Sequence, residues 1–433
     1  MSPIDIGWLG LVIMISLLMS GIPVGICMAV VGFGGFALIS GLPAALSLVR
    51  TVPYTSAANY GLSVIPLFVL MGQLAFKSGI GEDLYIAGHK WFGHRSGGLA
   101  MATIGAAAGF GAICGSSAAS TATFASVALP EMRKMKYDAG FGAAAIAAAG
   151  TLAILIPPSN GFIIFGIITQ QSIGKLFMAG VIPGIILAFF YGISIWWRAR
   201  RNPEIAPRGD RYPWRERFAS LGGCWPMVVL FLFVMGGIYG GVFTPTEAGA
   251  LGAFGALLFL ISRGQCNRVN LVTSLRGTLD VTAMMFLILT GGYIFGYFLA
   301  ISGVPRAVAG SFQALPVDRY VIIIGILIMY FIMGFFLDML SMVVVTTPIF
   351  FPLVVALGFD PIWYGVMIVV AMEQGQLTPP FGINLFIVQG VARDVPLQNI
   401  IGHIWPFIYA IFLFMFLMLA FPDLALFLPR AMK

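Results

Sequence analysis

What the chain has least of is charge. Only 9% of its 433 residues are Asp, Glu, Lys or Arg, against about 25% in a soluble domain. At the same time 60% are hydrophobic, and the mean hydropathy is +0.99. Such a chain has too little polar surface to face water. Apolar runs long enough to cross roughly 30 Å of hydrocarbon recur from end to end, so the sequence reads as an all-α polytopic membrane protein whose solvent is the lipid bilayer. Cysteine is scarce as well. Cys27, Cys114, Cys224 and Cys266 stand far apart with no C-x-x-C, which argues against a disulfide framework or a metal knuckle. There are three histidines, His89, His94 and His403, and neither H-E-x-x-H nor G-x-S-x-G occurs, so no hydrolytic constellation is indicated. The "GSS" at Gly115 to Ser117 has no histidine placed to serve it. A Walker motif is missing too, so transport by this chain would be driven by an ion gradient or by another subunit. The protein reads as no enzyme. The N-terminal run "IDIGWLGLVIMISLLMSGIPVGI" lacks a basic leader and a small-residue cleavage site, and reads as a first span.

What is there, in quantity, is glycine, proline and repetition. "GTLAILIPPSNGF" (Gly150 to Phe162) sets two prolines inside an apolar run, and "GQLTPPFGINLF" (Gly375 to Phe386) does so again. A proline inside a helix costs about 3 kcal/mol or more. Pro157 and Pro158 match Pro379 and Pro380 at an offset of 222, and at that offset Pro130 falls on Pro352 and Asp138 on Asp360. "GQLAFKSGI" (Gly72 to Ile80) resembles "GYFLAISGV" (Gly296 to Val304) at 224. Four ordered matches at a near-constant offset point to an internal duplication. Residues 1–197 form the first repeat, the Arg-rich segment 198–217 a linker, and 218–433 the second repeat.

Hydropathy predicts crossings near 4–20, 22–42, 62–79, 137–168 and 175–197, then near 222–241, 245–262, 280–301, 361–391 and 400–421. Residues 97–132 and 319–352 are each interrupted by a small-residue break and predict re-entrant hairpins. Segments 137–168 and 361–391 predict broken helices at the paired prolines. Segments 80–95, 264–279 and 303–318 predict interfacial arms. Five crossings per half make the repeats inverted relative to one another, a feature of secondary transporters. With the N-terminus outside, seventeen of the 23 Lys and Arg fall on inner loops, and six, Arg50, Lys175, Arg306, Arg319, Arg430 and Lys433, on outer ones. That distribution fits the positive-inside rule. It accounts for the net charge of +7 by topology, with no nucleic-acid partner.

Non-helical backbone survives at membrane depth only when buried in protein or lining a wet cavity. Unwound segments expose carbonyls and hydroxyls for a hard cation such as Na⁺, and half-helix N-termini for an anion. The first hairpin tip supplies Ser116, Ser117, Ser120 and Thr121, opposite Gly150, Thr151, Pro157 and Ser159 at the first break. The second set is Gly334, Asp338, Ser341, Thr378, Pro379 and Asn384. Ser and Thr also serve close helix packing, and proline can simply kink a helix. Asp338 is an isolated carboxylate in an apolar run, so it is a candidate for cation, proton or substrate hydroxyl, with helix capping as the plain alternative. Glu247 is expected to join a cap with Thr244 or Thr246. Glu373 also sits in an apolar run, with its role open.

"IPLFVLMGQLAFKSGI" (Ile65 to Ile80), "GAICGSSAASTATFASVALPEM" (Gly111 to Met132), "GTLAILIPPS" (Gly150 to Ser159), "TPTEAGALGA" (Thr244 to Ala253), "FLDMLSMVVVTTPIFFPL" (Phe336 to Leu353) and "GQLTPPFGINLF" resemble the large membrane subunit of tripartite ATP-independent periplasmic (TRAP) transporters, within the ion transporter superfamily. The resemblance covers nearly the whole length. It implies an elevator in which a transport domain carrying both hairpins slides against a scaffold, and coupling to Na⁺. The cargo would be an organic anion handed over by a soluble periplasmic substrate-binding protein. A small four-helix membrane subunit would brace the scaffold, and because this chain begins at its first span that subunit is expected to be separate. The location implied is the bacterial inner membrane, with both termini periplasmic. Ser116 or Ser117, Ser159 and Asp338, with Asn384, are then the expected substrate contacts. Sodium would lie among Ser116, Ser120, Gly150, Thr151, Pro157, Gly334, Ser341, Thr378 and Pro379, held mainly by backbone carbonyls. Phe381 stands where the counterpart of Ser159 would be, which would place the anion asymmetrically. C4-dicarboxylates, sugar acids, sialic acid, keto acids and ectoine-like zwitterions all suit such a cavity. A stand-alone Na⁺- or H⁺-coupled carboxylate carrier of the same superfamily is the alternative.

Overall fold

Every regular element in a computed structural model of the chain, which describes residues 1–313 and 316–432, is helical. Lys433, one of the six outer charges, and residues 314–315 of the expected arm 303–318 lie outside the described residues. The first half runs α1 (Pro3–Met19), α2 (Val24–Ser40), α3 (Leu42–Ala57), α4 (Val64–Lys77), α5 (Ile80–Phe92), α6 (Gly98–Cys114), α7 (Ser117–Lys134), α8 (Ala139–Leu155), α9 (Asn160–Thr169) and α10 (Ile173–Arg201). The second runs α11 (Trp214–Leu221), α12 (Trp225–Tyr239), α13 (Pro245–Ser262), α14 (Arg268–Ser302), α15 (Val304–Gln313), α16 (Arg319–Met333), α17 (Met339–Ala356), α18 (Pro361–Leu377), α19 (Ile383–Val391), α20 (Leu397–Ala420) and α21 (Asp423–Ala431).

Among the described residues, seven helical segments are long and apolar enough to cross a membrane, or eight if the bent pair α11–α12 counts as one. Three expectations need correction. The arm 264–279 and the span 280–301 are one helix of 35 residues, α14. Asn267 caps its start by accepting from the Asn270 amide at 2.8 Å, and the polar stretch that follows contains no proline to stop it. The helix α3 was not expected at all. The linker is shorter than 198–217, because α10 continues through Arg201 and α11 begins at Trp214. In addition α17, expected as a hairpin arm, is long and apolar enough to cross a membrane.

The two broken helices form the core. From Gly140 to Leu155 every residue of α8 is buried, and from Ile362 to Leu377 every residue of α18. Helices that are apolar all round must be surrounded by protein or lipid, and here α6, α7, α10 and α20 surround α8 while α16, α17 and α20 pack on α18. A second group, α2, α4, α13 and α14, packs together. The Asp138 and Asp360 match in the sequence has a local cause. Asp138 starts α8 by accepting from the Phe141 amide at 2.8 Å, and Asp360 starts α18 by accepting from the Ile362 and Trp363 amides at 2.8 and 3.2 Å. Replacing Asp360 with alanine leaves two amides at that helix end without their acceptor. The expected loss is about 1 kcal/mol, read as a lowered thermal midpoint with the ion response unchanged.

Candidate functional site

The breaks arise from backbone chemistry. Pro157 and Pro158 have no N–H to offer the carbonyls of Ala153 and Ile154, so α8 stops at Leu155 and the chain re-enters helix at Asn160. Pro379 and Pro380 do the same between α18 and α19, and both proline pairs carry a cis peptide bond. Between α6 and α7 the chain turns at Gly115, whose φ of 62° is the left-handed region glycine favours. Ser116 then caps α7 by accepting from the Ala119 amide at 3.4 Å.

The first tip does face the first break. The Asn160 amide donates to the Gly115 carbonyl at 3.4 Å, and a Cβ on Gly115 would lie 2.6 Å from the Pro158 carbonyl oxygen. Gly150 lets α8 approach α7 so closely that a Cβ there would overlap Thr121 and lie 3.1 Å from the Ser117 carbonyl oxygen. The second tip abuts α18 in the same manner, Gly334 against Gly375. The two expected sites are also joined. Ser117 donates to Glu373 Oε2 at 2.9 Å and accepts from Asn384 Nδ2 at 2.9 Å, which links the first tip to both arms of the second broken helix.

Among the described residues, several buried side-chain atoms at this junction have no hydrogen-bond partner: Ser120 Oγ, Thr121 Oγ1, Ser159 Oγ, Glu373 Oε1, Gln374 Oε1, Gln376 Nε2 and Asn384 Oδ1. Six of the seven are oxygens, and a buried polar atom without a partner calls for an explanation such as a bound ion or water. Three predicted ligands, Thr151, Thr378 and Ser341, already donate their hydroxyl protons within the protein. Thr151 donates to the Ala148 carbonyl and shares a hydrogen bond with the Tyr191 hydroxyl, and Thr378 donates to the Gln374 carbonyl. Donation uses the hydroxyl protons, so what these residues can offer a cation is oxygen lone pairs and backbone carbonyls. Asp338 caps α17, accepting from the Leu340 and Ser341 amides and from the Ser341 hydroxyl. Phe381 is exposed and packs on Phe336 of the second tip, with ring centroids 5.2 Å apart.

A cavity of about 680 Å³ opens beside the first tip. Its lining includes Ser116, Ser117, Asn160, Asp338 and Glu373, together with Gln73 of α4 and Met284 and Met285 of α14. Glu373 is the site residue that its sequence context did not reveal. It is 3% exposed, and only the fold brings it to a serine 256 positions away. The signal available was an isolated acid five residues before Thr378.

Comparison with known proteins places the chain. A family profile for the tripartite ATP-independent periplasmic transporter, DctM component, matches residues 11–424. The chain is 33% identical over 380 residues to the isethionate TRAP transporter permease protein DctMQ of Oleidesulfovibrio alaskensis, covering 87% of this chain and 59% of that one, so it spans less than two thirds of that relative's length. It is 31% identical over 435 residues to the C4-dicarboxylate TRAP transporter large permease protein DctM of Rhodobacter capsulatus, covering 96% and 97%. Among solved structures the YdaH transporter of Alcanivorax borkumensis, described as having an unusual topology, aligns with a TM-score of 0.62 at 15% identity over 88% of this chain and 90% of that one. That likeness is one of fold.

Proposed function

The chain belongs to the DctM-component family of tripartite ATP-independent periplasmic transporters, and on that premise we propose that this inner-membrane permease subunit couples Na⁺ entry to import of an organic anion. The observation that carries the reading is the oxygen-rich set of unpartnered buried atoms, six oxygens and one amide nitrogen, where the first tip meets the two breaks. Oxygen donors suit a hard cation. Glu373 and Asn384 add a side-chain carboxylate and an amide oxygen to the expected serines and carbonyls. Ser116, Asn160 and Asp338 face the cavity, where hydroxyl, amide and the start of α9 meet an anion's oxygens. Relatives named for isethionate and for C4-dicarboxylates support an organic anion as cargo.

The movement we infer is an elevator built on two inverted repeats. What supports it is that each half carries a helix pair joined at a tight turn and a helix broken at a proline pair, and that the cavity is lined both by the tips and by α4 and α14. The anion would arrive from a soluble periplasmic binding protein, and a small membrane subunit would brace α1–α4 and α12–α14. Both termini would then lie on the periplasmic side.

The test is thermal unfolding of the purified subunit in NaCl, KCl and choline chloride at equal ionic strength. A ligand bound only to the folded state stabilises it by about 2.7 kcal/mol at a hundredfold excess over Kd. We expect a rise specific to sodium that Glu373→Gln reduces. Identical curves in the three salts would remove sodium from the mechanism.

A further inference from the structure

The short linker builds a second polar cavity, far from the breaks in sequence. Ser96 donates its hydroxyl to the carbonyls of Ala199, at the end of α10, and Ala206, in the linker, at 3.1 and 2.9 Å. The Gly97 amide also donates to Ala206, and the Gly209 amide donates to the Gly93 carbonyl. These bonds fasten the 93–97 turn, the end of α10 and the linker into one wall. This open cavity has a volume of about 640 Å³ and is lined by His94, Arg95, Trp196, Arg200 and Arg208. No acidic side chain lines it; Glu204 and Asp210, the acids nearest in the linker sequence, both stay outside. Arg95, Arg200 and Arg208 are exposed and, among the described residues, none of them forms an ion pair. The concentration of positive charge is felt locally. His94 is held below the ordinary imidazole range, first by partial loss of water and then by Arg217, Arg95 and Arg211.

The membrane side of this cavity is equally specific. Ile185, Phe189, Ile193 and Trp196 are exposed apolar residues of α10. At about 100° per residue they fall, with Arg200, within roughly 80° of one another on the helix surface. An apolar strip therefore runs along α10 and ends at the guanidinium of Arg200, which stacks over Trp196 at 5.3 Å. Tryptophan and arginine in this order are what a helix presents where hydrocarbon gives way to headgroups.

We propose that the cavity holds the phosphate of an anionic membrane phospholipid, with Arg95, Arg200 and Arg208 as counter-charges and the Ile185–Trp196 strip of α10 as the track for an acyl chain. The strip distinguishes a lipid from a free phosphate, since a soluble anion would have no use for it. Basic pockets beside transmembrane helices bind such headgroups, each Lys or Arg adding to the attraction.

The experiment uses the full chain in detergent, titrated with dioleoyl phosphatidylglycerol, with phosphatidylcholine of the same chains, or with inorganic phosphate. Thermal midpoint and lipid retained in native mass spectra are the readouts. Phosphatidylglycerol is expected to raise the midpoint and stay bound, with apparent affinity falling about tenfold or more in R95Q/R200Q/R208Q and unchanged in R268Q/R276Q/R306Q, which removes equal charge elsewhere. R208Q alone, on the exposed linker, gives a smaller loss and does not depend on the triple variant folding. Equal responses to the two lipids, a shift reproduced by inorganic phosphate, or equal losses in the two triple variants would each overturn the assignment.

Discussion

Replacing Ser117 with alanine is expected to abolish sodium-driven uptake and to lower the stability of the folded subunit by about 2–4 kcal/mol. One hydroxyl does two jobs at a site that is almost closed to water, since Ser117 is 4% exposed. It donates to Glu373 and accepts from Asn384. Glu373 Oε1 already lacks a protein partner, so the alanine variant leaves the whole carboxyl group unbonded, together with one amide N–H of Asn384. Each buried polar group stripped of its partner costs about 1–3 kcal/mol, and a charged one more. The transport defect has a separate cause. Ser117 lies at the start of α7 and hydrogen-bonds to both arms of the second broken helix, so its loss uncouples the tip from α18 and α19.

A double-mutant cycle separates this from general damage. Glu373→Gln removes the carboxyl group that the alanine variant strands, and Ser117→Ala with Glu373→Gln should therefore be less destabilised than the sum of the single changes. Contacting pairs show coupling of about 0.5–3 kcal/mol. Unfolding midpoints and uptake into proteoliposomes, with the binding protein supplied, measure both effects. Strict additivity would mean that Ser117 and Glu373 do not act as a pair.

The contrast between Glu373 and Asp338 shows how far sequence reasoning reaches at this site. The helical character, the hairpin breaks and the meeting of the first tip with the first proline pair all follow from local chemistry: missing amides at proline, a left-handed glycine at 115, a cap at Ser116. Local chemistry also singled out Asp338, since an acid flanked by apolar residues is costly in a membrane. In the fold that acid caps its own helix, three residues from its partner Ser341. Glu373 carries the same surprise in sequence, yet its partner Ser117 is 256 residues back. Which face of α18 it occupies is decided by packing around a helix buried on all sides, where periodicity vanishes. The long helix α14 escaped for the opposite reason. Its first turns are polar, and polarity alone looks like a surface arm, although nothing in Arg268–Asp280 breaks a helix.

Alanine at Gly334 or Gly375 is expected to eliminate transport and to deplete folded protein, by about 3 kcal/mol or more. A Cβ on Gly334 would sit 2.8 Å from Gly375 Cα and 3.0 Å from the Met372 carbonyl oxygen. One on Gly375 would sit 2.6 Å from Gly334 Cα and 2.6 Å from the Phe331 carbonyl oxygen. Every one of these neighbours is backbone. No rotamer change relieves the overlap, so either the hairpin tip withdraws from α18 or the helices separate, and overpacking of this kind costs about 1–3 kcal/mol even where side chains can move aside. The first half meets the same constraint at Gly111, where a Cβ would collide with the backbone of Ala153. Gly325 is the control, since it lies in α16 with nothing within 4 Å of an added Cβ. Gly325→Ala should transport normally. Expression, monodispersity and sodium-dependent uptake of the three variants decide the matter. Normal uptake by Gly334→Ala would show that this backbone seam opens far enough to admit a methyl group, and that transport does not require the tip to press on α18.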